Sequence, residues 1–597
     1  MSQFKYMQEV HDNVIKNSNN KIGYLINYVG VLDNIMTPIP NSIIIPLTPY
    51  IAAVFIDANY ESTFLSLKNI IIIESFVEYI LTDISPLDSA NITQFTEGFP
   101  LDLTGTGVVV GLIDTGIDYT NKEFIREDDT SRILSIWDQS NNLGTPPTVM
   151  GYGSEYNNEQ INAALKESLN GKNPLDLVPE IDTLGHGTKC AGIIGARGYG
   201  EVRGAAPNCD FVVVKLRVVD TIPSESGNPP TIPLYSNVDI ATAMRYLVEY
   251  RSKIKRPMVI FLPVSSNFGG HDGGRPLETL INYYSFESNV IFAVGTGNQG
   301  NSQTHFSGKI NSTNESSTIE VQIGPNQNYL YVDIWCRFPD KLSIGMISPS
   351  GQVIEKIPVK ISQQETLNFI YEKTTVSIQY FFPITTTGDQ SILIYFNKPS
   401  PGIWKIVAYG DYIVNGEFNA WMSQRPISKP GTFFLNSDNL ITLTIPSTAR
   451  SAMCTAFYNQ NDNSLDINAG VGFTVDGRIK PELTSGGVNV LTTAPNNKTA
   501  IISGSSAGTA VLTGAITLIL QWAIVDKNLP TIAPEVIEAL LTRGTKKRST
   551  DIYPNPYTGY GLLDLLGTFN AIRGIYNTSD NSKLLRTINK NNENVDV

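Results

Sequence analysis

From Leu101 onward, long apolar runs alternate with segments of helical periodicity. Four runs have continuous apolar character: VVVGLI before Asp114, DFVVVKL, PMVIFL and NVIFAV. The segment NVDIATAMRYLVEYRSKI, between the second and third runs, has the apolar spacing of an amphipathic helix. Strands that are apolar along their whole length are buried on both faces, as in parallel sheets covered by helices. The pattern therefore predicts an α/β domain with a parallel sheet and helices on both faces.

This pattern stops after Gly300 and returns after Gly431. Between residues 306 and 431, short runs such as STIEVQI, YLYVDIWC and VSIQYFF alternate apolar and polar positions and are separated by Gly, Pro, Asn and Asp. This favours an inserted all-β domain, a sandwich or jelly roll. We expect four parts: an N-terminal α+β unit at 1–85, the α/β domain at 86–305 and 432–576, the inserted β domain at 306–431, and a polar tail at 577–597.

Composition and charge exclude several classes of function. The chain has 597 residues and a formal net charge of −13, so it lacks the positive charge that binding to a phosphate backbone requires. Its four cysteines show no CxxC spacing, so we expect neither a metal site nor a disulfide framework, and no cofactor is indicated. The N-terminus has no basic segment followed by an apolar one, so no secretory signal is expected, and we predict no membrane-spanning helix.

Three short motifs carry candidate chemistry. Ser506 lies in GSSAGTA, before an apolar helical run, where small neighbours and the free N–H groups of a first helical turn suit a nucleophile. Upstream are His186 in GHGT and Asp114 in DTG, each next to an apolar run. Taken singly, these motifs also fit a helix cap, a structural histidine and a turn. Together, in the order Asp, His, Ser, they indicate a serine triad, and Asn298 in GTGNQG could donate to an oxyanion.

The same blocks resemble a known family. DTGID, GHGTKCAG, GTGNQG and GSSAGTA match, in order, the Asp, His, Asn and Ser blocks of the subtilisin-like serine proteases. The strings TGVVVGLIDTGIDYTNKEF and RILSIWDQ, with the β insertion, are similar to the clostridial Csp germination proteases. The resemblance implies a subtilisin-like sheet, a retained N-terminal prodomain and a jelly-roll insertion. It also implies an edge formed by Phe268, Gly269 and Gly270 that pairs with extended substrate.

The resemblance further suggests a biological role and a self-processing step. A Csp-type enzyme would activate the precursor of a spore cortex-lytic hydrolase by limited proteolysis, inside the cell or associated with the spore. A subtilase prodomain presents its C-terminal tail to the active site and then stays bound as an inhibitor. In this chain the tail would be FVEYILTDISPLD, and we expect one intramolecular cut between Tyr79 and Ala90.

Some positions depart from the usual subtilase pattern. Thr509-Ala510 replaces Ala-Pro, Lys189-Cys190 replaces His-Val, and Ser505 stands where Thr is more common. None of these changes removes a triad residue or an oxyanion donor. Three other functions remain open from the sequence: a pseudoprotease that relays a germination signal, a general intracellular subtilisin, and a module in which the β domain binds glycan or peptide. Labelling of the candidate serine by a phosphonate separates enzyme from pseudoenzyme.

Overall fold

The computed structural model describes residues 21–75, 78–81, 86–96, 101–219, 232–288, 290–359 and 364–577. The predicted polar tail at 577–597 therefore lies outside the described residues except for Asn577. The same is true of the first part of the predicted N-terminal unit, before Lys21.

Residues 21–75 fold into an antiparallel sheet with two short helices, in the strand order β2-β3-β1-β4. The elements are β1 (Lys21–Tyr28), α1 (Leu32–Met36), β2 (Ile43–Pro46), β3 (Ile51–Asp57), α2 (Glu61–Phe64) and β4 (Ile70–Glu74). Strand β3 is apolar along its length because both of its faces are covered. Ala52 and Val54 pack inside the unit, whereas Ala53 and Phe55 pack against the α/β domain.

Strand β5 (Glu78–Leu81) lies between this sheet and the α/β domain in the chain. The first part of the α/β domain contains α3 (Thr93–Thr96), β6 (Val109–Asp114), β7 (Ile133–Asp138), β8 (Ser154–Asn157), α4 (Asn158–Leu169), α5 (His186–Gly195), β9 (Asp210–Lys215), β10 (Tyr235–Ser236), α6 (Asn237–Ile254), β11 (Met258–Leu262), β12 (Val264–Ser265), α7 (Pro276–Ser288) and β13 (Ile291–Gly295).

The insertion consists of β14 (His305–Lys309), β15 (Ser316–Ile323), β16 (Tyr329–Cys336), β17 (Lys341–Ile347), β18 (Val353–Ile357), β19 (Gln364–Phe369), β20 (Thr374–Phe381), β21 (Gln390–Asn397), β22 (Gly402–Tyr412), β23 (Glu417–Met422) and β24 (Phe433–Phe434). The second part of the α/β domain contains β25 (Ala452–Asn459), β26 (Ser464–Leu465), β27 (Leu483–Gly486), β28 (Val490–Ala494), β29 (Lys498–Ile502), α8 (Ser505–Leu520), α9 (Pro534–Gly544) and α10 (Leu565–Asn577).

The main sheet has the strand order β26-β25-β13-β11-β6-β9-β7-β8, with β27 paired to β25. Strands β25, β13, β11, β6, β9 and β7 run parallel to one another, whereas the outer strands β26 and β8 are antiparallel to β25 and β7. Side chains of β6 alternate between two cores: Val109 and Ile113 face α6 and α7, and Val110 and Leu112 face α5 and α8. The mixed α/β character predicted from the apolar runs is thereby confirmed, with helices on both faces of the sheet.

The insertion forms two antiparallel sheets with a core of their own. The sheets have the orders β14-β23-β16-β21-β20-β19 and β18-β17-β22-β15-β24. Their facing side chains, which include Trp404, Phe396 and Phe434, make one buried cluster. The unit starts with β14 at His305 and ends with β24 at Phe434, slightly beyond the predicted limits of 306 and 431.

The helix that begins next to Ser506 is the most apolar in the described part of the chain. Among the described residues, Ser505–Val525 is the one helical stretch with the length and hydropathy of a membrane span. In its most apolar segment, 83% is buried inside the protein. It lies against β11, β13 and β25 and is the central helix of its face of the sheet.

Candidate active site

The carboxylate of Asp114 and the imidazole of His186 form a buried pair. Asp114 is the last residue of β6, and His186 is the first residue of α5. His186 Nδ1 lies 2.8 Å from Oδ1 and 2.9 Å from Oδ2 of Asp114. Because a carboxylate can only accept, this contact assigns a proton to Nδ1 and leaves Nε2 as the basic nitrogen of the neutral ring.

The glycines around His186 are required by the backbone. Gly185 has a φ of +69°, in the left-handed region where a side chain would be strained. At Gly187, a Cβ atom would collide with the carbonyl oxygen of Gly116 and approach the Cβ of Asp114 to 3.2 Å. The GHG sequence thus allows the start of α5 to lie directly on the end of β6, which brings His186 to Asp114.

Ser506 lies in the first turn of α8, which packs against α5. Its side chain is fully buried in the structure. The apolar run after it (VLTGAITLIL) forms the interior of the helix and is buried throughout. The structure thus places Ser506 at a helix N-terminus, where backbone N–H groups and the helix dipole favour a developing negative charge.

Asn298 follows β13 and is tied to the start of α8. The backbone N–H of Ser505 donates to Oδ1 of Asn298 at 3.0 Å. The hydroxyl of Ser505 accepts a hydrogen bond from the N–H of Gly297, also at 3.0 Å. These two bonds hold the turn that carries Asn298 beside Ser506. The first of them identifies the amide oxygen, so that Nδ2 is the end available to another acceptor.

Asp182 is a site residue that the sequence analysis missed. Its Oδ1 accepts from the hydroxyl of Thr115 at 2.7 Å and from the N–H of Gly185 at 2.8 Å. Its Oδ2 accepts from the N–H and the hydroxyl of Thr188, at 2.9 Å and 2.7 Å. A carboxylate that binds the first turn of α5 and the residue after Asp114 fixes the helix against the strand. The sequence did contain a signal for this role: Asp182 lies four residues before His186, and an Asp near a helix start often accepts hydrogen bonds from the free N–H groups there.

A cysteine lies against the histidine ring. Sγ of Cys190 is 3.8 Å from each ring nitrogen of His186, one turn along α5. Burial alone lowers the pKa of His186, but attraction to Asp114 and Cys190 and hydrogen bonds to both raise it well above its usual 6.5. Asp114, His186 and Cys190 each offer one atom that could ligate a metal, and these three atoms lie within 4.8 Å of one another. A metal ion could bind between them. The absence of a metal stays a prediction.

A segment that precedes the α/β domain forms a small sheet with two strands of that domain. Strand β5 is the central strand of a small sheet and pairs antiparallel with β10 on one side and β12 on the other. Tyr79 is opposite Tyr235, and Leu81 is opposite Val264. The expected tail segment is therefore paired with the α/β domain, while residues 82–85, within the window expected for the cut, lie outside the described residues.

The strand that pairs with β5 comes just before the predicted substrate edge. The structure pairs β5 with Val264–Ser265, whereas the predicted substrate edge is Phe268, Gly269 and Gly270. Between them, the N–H of Ser266 donates to the C=O of Ile445 at 2.9 Å, and the C=O of Ser266 accepts from the N–H of Ile445 at 2.8 Å. The ring of Phe268 packs edge-on against Tyr331 of the insertion. Substrate contact by Phe268, Gly269 and Gly270 stays a prediction.

Comparisons with known proteins agree on one family. Residues 105–561 match the model of the subtilase family. The C5a peptidase of Streptococcus pyogenes serotype M3 is 22% identical over 497 residues, which cover 76% of this chain and 38% of that protein. The chain thus spans about two fifths of the length of the curated relatives it matches. The solved structure of the Clostridium perfringens CspB protease is 26% identical with a TM-score of 0.71, covering 81% of this chain and 97% of that one.

Proposed function

This chain belongs to the subtilase family, and on that premise we propose that it is a serine endopeptidase. Ser506 is the nucleophile, His186 the general base, and Asp114 orients the imidazole. The observation that supports this most strongly is the buried Asp114–His186 pair, with Nδ1 2.8 Å from the carboxylate. The pair lies at the start of α5, the helix packed against α8, which carries Ser506. The four sequence blocks, in subtilase order, support the same assignment.

The proposed reaction is acyl transfer to water in two steps. Nε2 of His186 takes the proton of the Ser506 hydroxyl as its oxygen attacks the peptide carbonyl. Nδ2 of Asn298 and the N–H of Ser506 donate to the resulting oxyanion. Collapse breaks the C–N bond, and His186 gives its proton to the leaving amine. Water then attacks the acyl-enzyme with His186 as base, which releases the acid and regenerates Ser506.

We assign roles to the other parts of the chain by the same reasoning. Residues 1–85 act as a prodomain whose β5 segment occupies the cleft as an inhibitor, and the insertion at 306–431 is a jelly roll. Support for the inhibitor role comes from the two-sided pairing of β5, since added strands obtain affinity from main-chain hydrogen bonds.

For the physiological substrate, we propose a protein precursor of a spore cortex-lytic enzyme, activated by limited proteolysis during germination. The protein would act inside the cell or in association with the spore. Support comes from the Csp-like sequence strings and from the fold shared with the Clostridium perfringens CspB protease, to which this chain aligns over 97% of that protein. Incubation of the precursor with wild type and with Ser506→Ala should give one discrete cut with wild type alone.

Labelling at the serine tests the enzymatic proposal directly. Because Ser506 is buried in the structure, the reagent should be a small alkyl fluorophosphonate, applied over a time course. We expect one adduct per chain, located on the peptide that contains Ser506, and no adduct in Ser506→Ala or His186→Ala. A wild type that is neither labelled nor self-processed would show a pseudoenzyme and overturn the proposal.

A further inference from the structure

One short segment at the end of β23, residues 422–425, links the insertion both to the edge that pairs with β5 and to the turn that carries Asn298, and we call it the clamp segment. It starts with Met422, the last residue of β23, and continues through Ser423 and Gln424 to Arg425. Both Ser423 and Gln424 are fully buried. The clamp segment therefore lies between the insertion's sheet and the α/β domain, where its polar groups must find partners within the protein.

One set of these partners is the edge that pairs with β5. Nε2 of Gln424 donates to the carbonyl oxygen of Ser265 at 3.1 Å, and its Oε1 accepts from the N–H of Asn267 at 3.3 Å. In return, Nδ2 of Asn267 donates to the carbonyl oxygen of Met422 at 3.0 Å. Ser265 belongs to β12, the strand opposite β5. A side chain of the insertion thus holds the backbone on which an extended peptide pairs.

The other set is the turn that carries the candidate oxyanion donor. The N–H of Arg425 donates to Oε1 of Gln299 at 3.0 Å, and Nε2 of Gln299 donates to the carbonyl oxygen of Arg425 at 3.1 Å. In this reciprocal pair, the side-chain amide and the peptide group each donate one hydrogen bond and accept one. Gln299 is 2% exposed and directly follows Asn298. The clamp segment therefore also fixes the turn beyond β13.

We infer that the clamp segment sets the relative position of the substrate-pairing edge and the oxyanion donor. Gln424 in the clamp segment and Gln299, which binds Arg425 of that segment, are the positioning residues, one for each side. This inference rests on the proposed function, and it makes the insertion a structural part of the peptidase site. Because both glutamines are buried with two backbone partners, replacing them leaves peptide groups unpaired and lets the attached backbone shift. A shift of β12 weakens peptide binding, whereas a shift of the Asn298 turn weakens stabilisation of the oxyanion.

The chain offers a matched control in Gln390. It is also a fully buried glutamine of the insertion, and its amide makes a reciprocal pair with the peptide group of Leu342: Oε1 accepts from the N–H at 2.7 Å and Nε2 donates to the C=O at 2.9 Å. Leu342 lies on β17 of the insertion and not on the cleft. Replacing Gln390 therefore removes a reciprocal pair of the same kind, but this pair has no link to β12 or to the turn that carries Asn298.

The test measures kcat and KM of the self-processed enzyme on one peptide substrate, with Gln424→Met, Gln299→Met and Gln390→Met. Methionine keeps the length of glutamine and removes both hydrogen bonds. We expect KM to rise about tenfold in Gln424→Met with kcat nearly unchanged, and kcat to fall about tenfold in Gln299→Met with KM nearly unchanged. Gln390→Met should change neither constant. Equal changes in all three variants, or none in the first two, would overturn the inference.

A second measurement separates this inference from the proposed function. Backbone hydrogen exchange needs no catalysis, so it can be recorded in the full chain with Ser506→Ala as background. Exchange of residues 264–267 should become faster with Gln424→Met, and exchange of residues 297–299 with Gln299→Met. Unchanged exchange would overturn the inference even if the enzyme is active. A wild type without activity but with these exchange changes would overturn the proposed function alone.

Discussion

The backbone N–H of Ser505 donates a hydrogen bond to Oδ1 of Asn298, at 3.0 Å, and so orients the amide that follows β13. With its oxygen held in this way, the amide has Nδ2 as its donor end. We expect Asn298→Leu, which keeps the shape and removes the donor, to lower kcat by about 10²–10³ with little effect on KM. Steady-state kinetics on a peptide substrate provide the measurement. A loss of less than threefold would rule out Asn298 as an oxyanion donor.

The raised pKa of His186 predicts an alkaline pH profile. As general base, His186 must be neutral, so kcat/KM should rise as the pH rises through its pKa, which attraction to Asp114 and Cys190 holds well above 6.5. Cys190→Ala removes one of these attractions, and the acid limb of the profile should move to lower pH. Cys209→Ala, at another buried thiol of the same core, should leave the limb in place. A limb that stays or moves to higher pH in Cys190→Ala would contradict the assignment.

Asp182 should influence both stability and turnover. Each of its oxygens accepts two hydrogen bonds, so Asp182→Asn turns an NH2 group towards donors. We expect the free energy of unfolding to fall by about 2 kcal/mol and kcat to fall about tenfold, because the start of α5 moves relative to Asp114. Denaturant unfolding and kinetics measure the two effects. Asp176→Asn, at an exposed carboxylate of the same region, should change neither; equal results for both variants would contradict the prediction.

Self-processing should cut the chain close to the end of β5. The strand ends at Leu81, where it pairs with Val264 of the α/β domain, so we expect wild type to give a fragment that ends within 79–90, with the two parts remaining associated. Intact-mass analysis of freshly purified wild type beside Ser506→Ala locates the cut. The rate should not depend on protein concentration, because the reaction is intramolecular. The same fragment from Ser506→Ala would show that another protease makes the cut.

The insertion should fold when expressed alone, provided that its edge strand is included. It has its own core, and Phe434 of β24 is fully buried within it. A fragment of residues 305–435 should therefore melt cooperatively with a β-type circular dichroism spectrum. The shorter fragment 306–431 lacks Phe434 and should be less stable by about 3 kcal/mol. Absence of a folded 305–435 fragment would show that the unit depends on the α/β domain.

Sequence patterns were sufficient for the parts of the site that involve backbone and local motifs. The VVVGLI run predicted a strand that ends at Asp114, and GHGT and GSSAGTA predicted helix starts at His186 and Ser506, because local conformational requirements of small residues are visible in the sequence. Contacts of a polar side chain with a distant part of the chain cannot be recognised in the sequence in this way. Gln424 and Ser265 are 159 positions apart, and nothing periodic relates them. For the same reason, the sequence did not reveal that β5 pairs with Val264 and Ser265.

Under the proposed function, the placement of β5 between β10 and β12 also determines how an outside substrate must compete. A peptide in solution meets a tethered competitor whose effective concentration is on the order of millimolar. As long as the tether is intact, dilution of the protein does not free the cleft, because the effective concentration of β5 is set by the length of the tether. Once the chain is cut, occupancy follows ordinary mass action, so the cleft empties on dilution at the off-rate of the N-terminal unit. Scission would thus change a concentration-independent block into a reversible, concentration-dependent one.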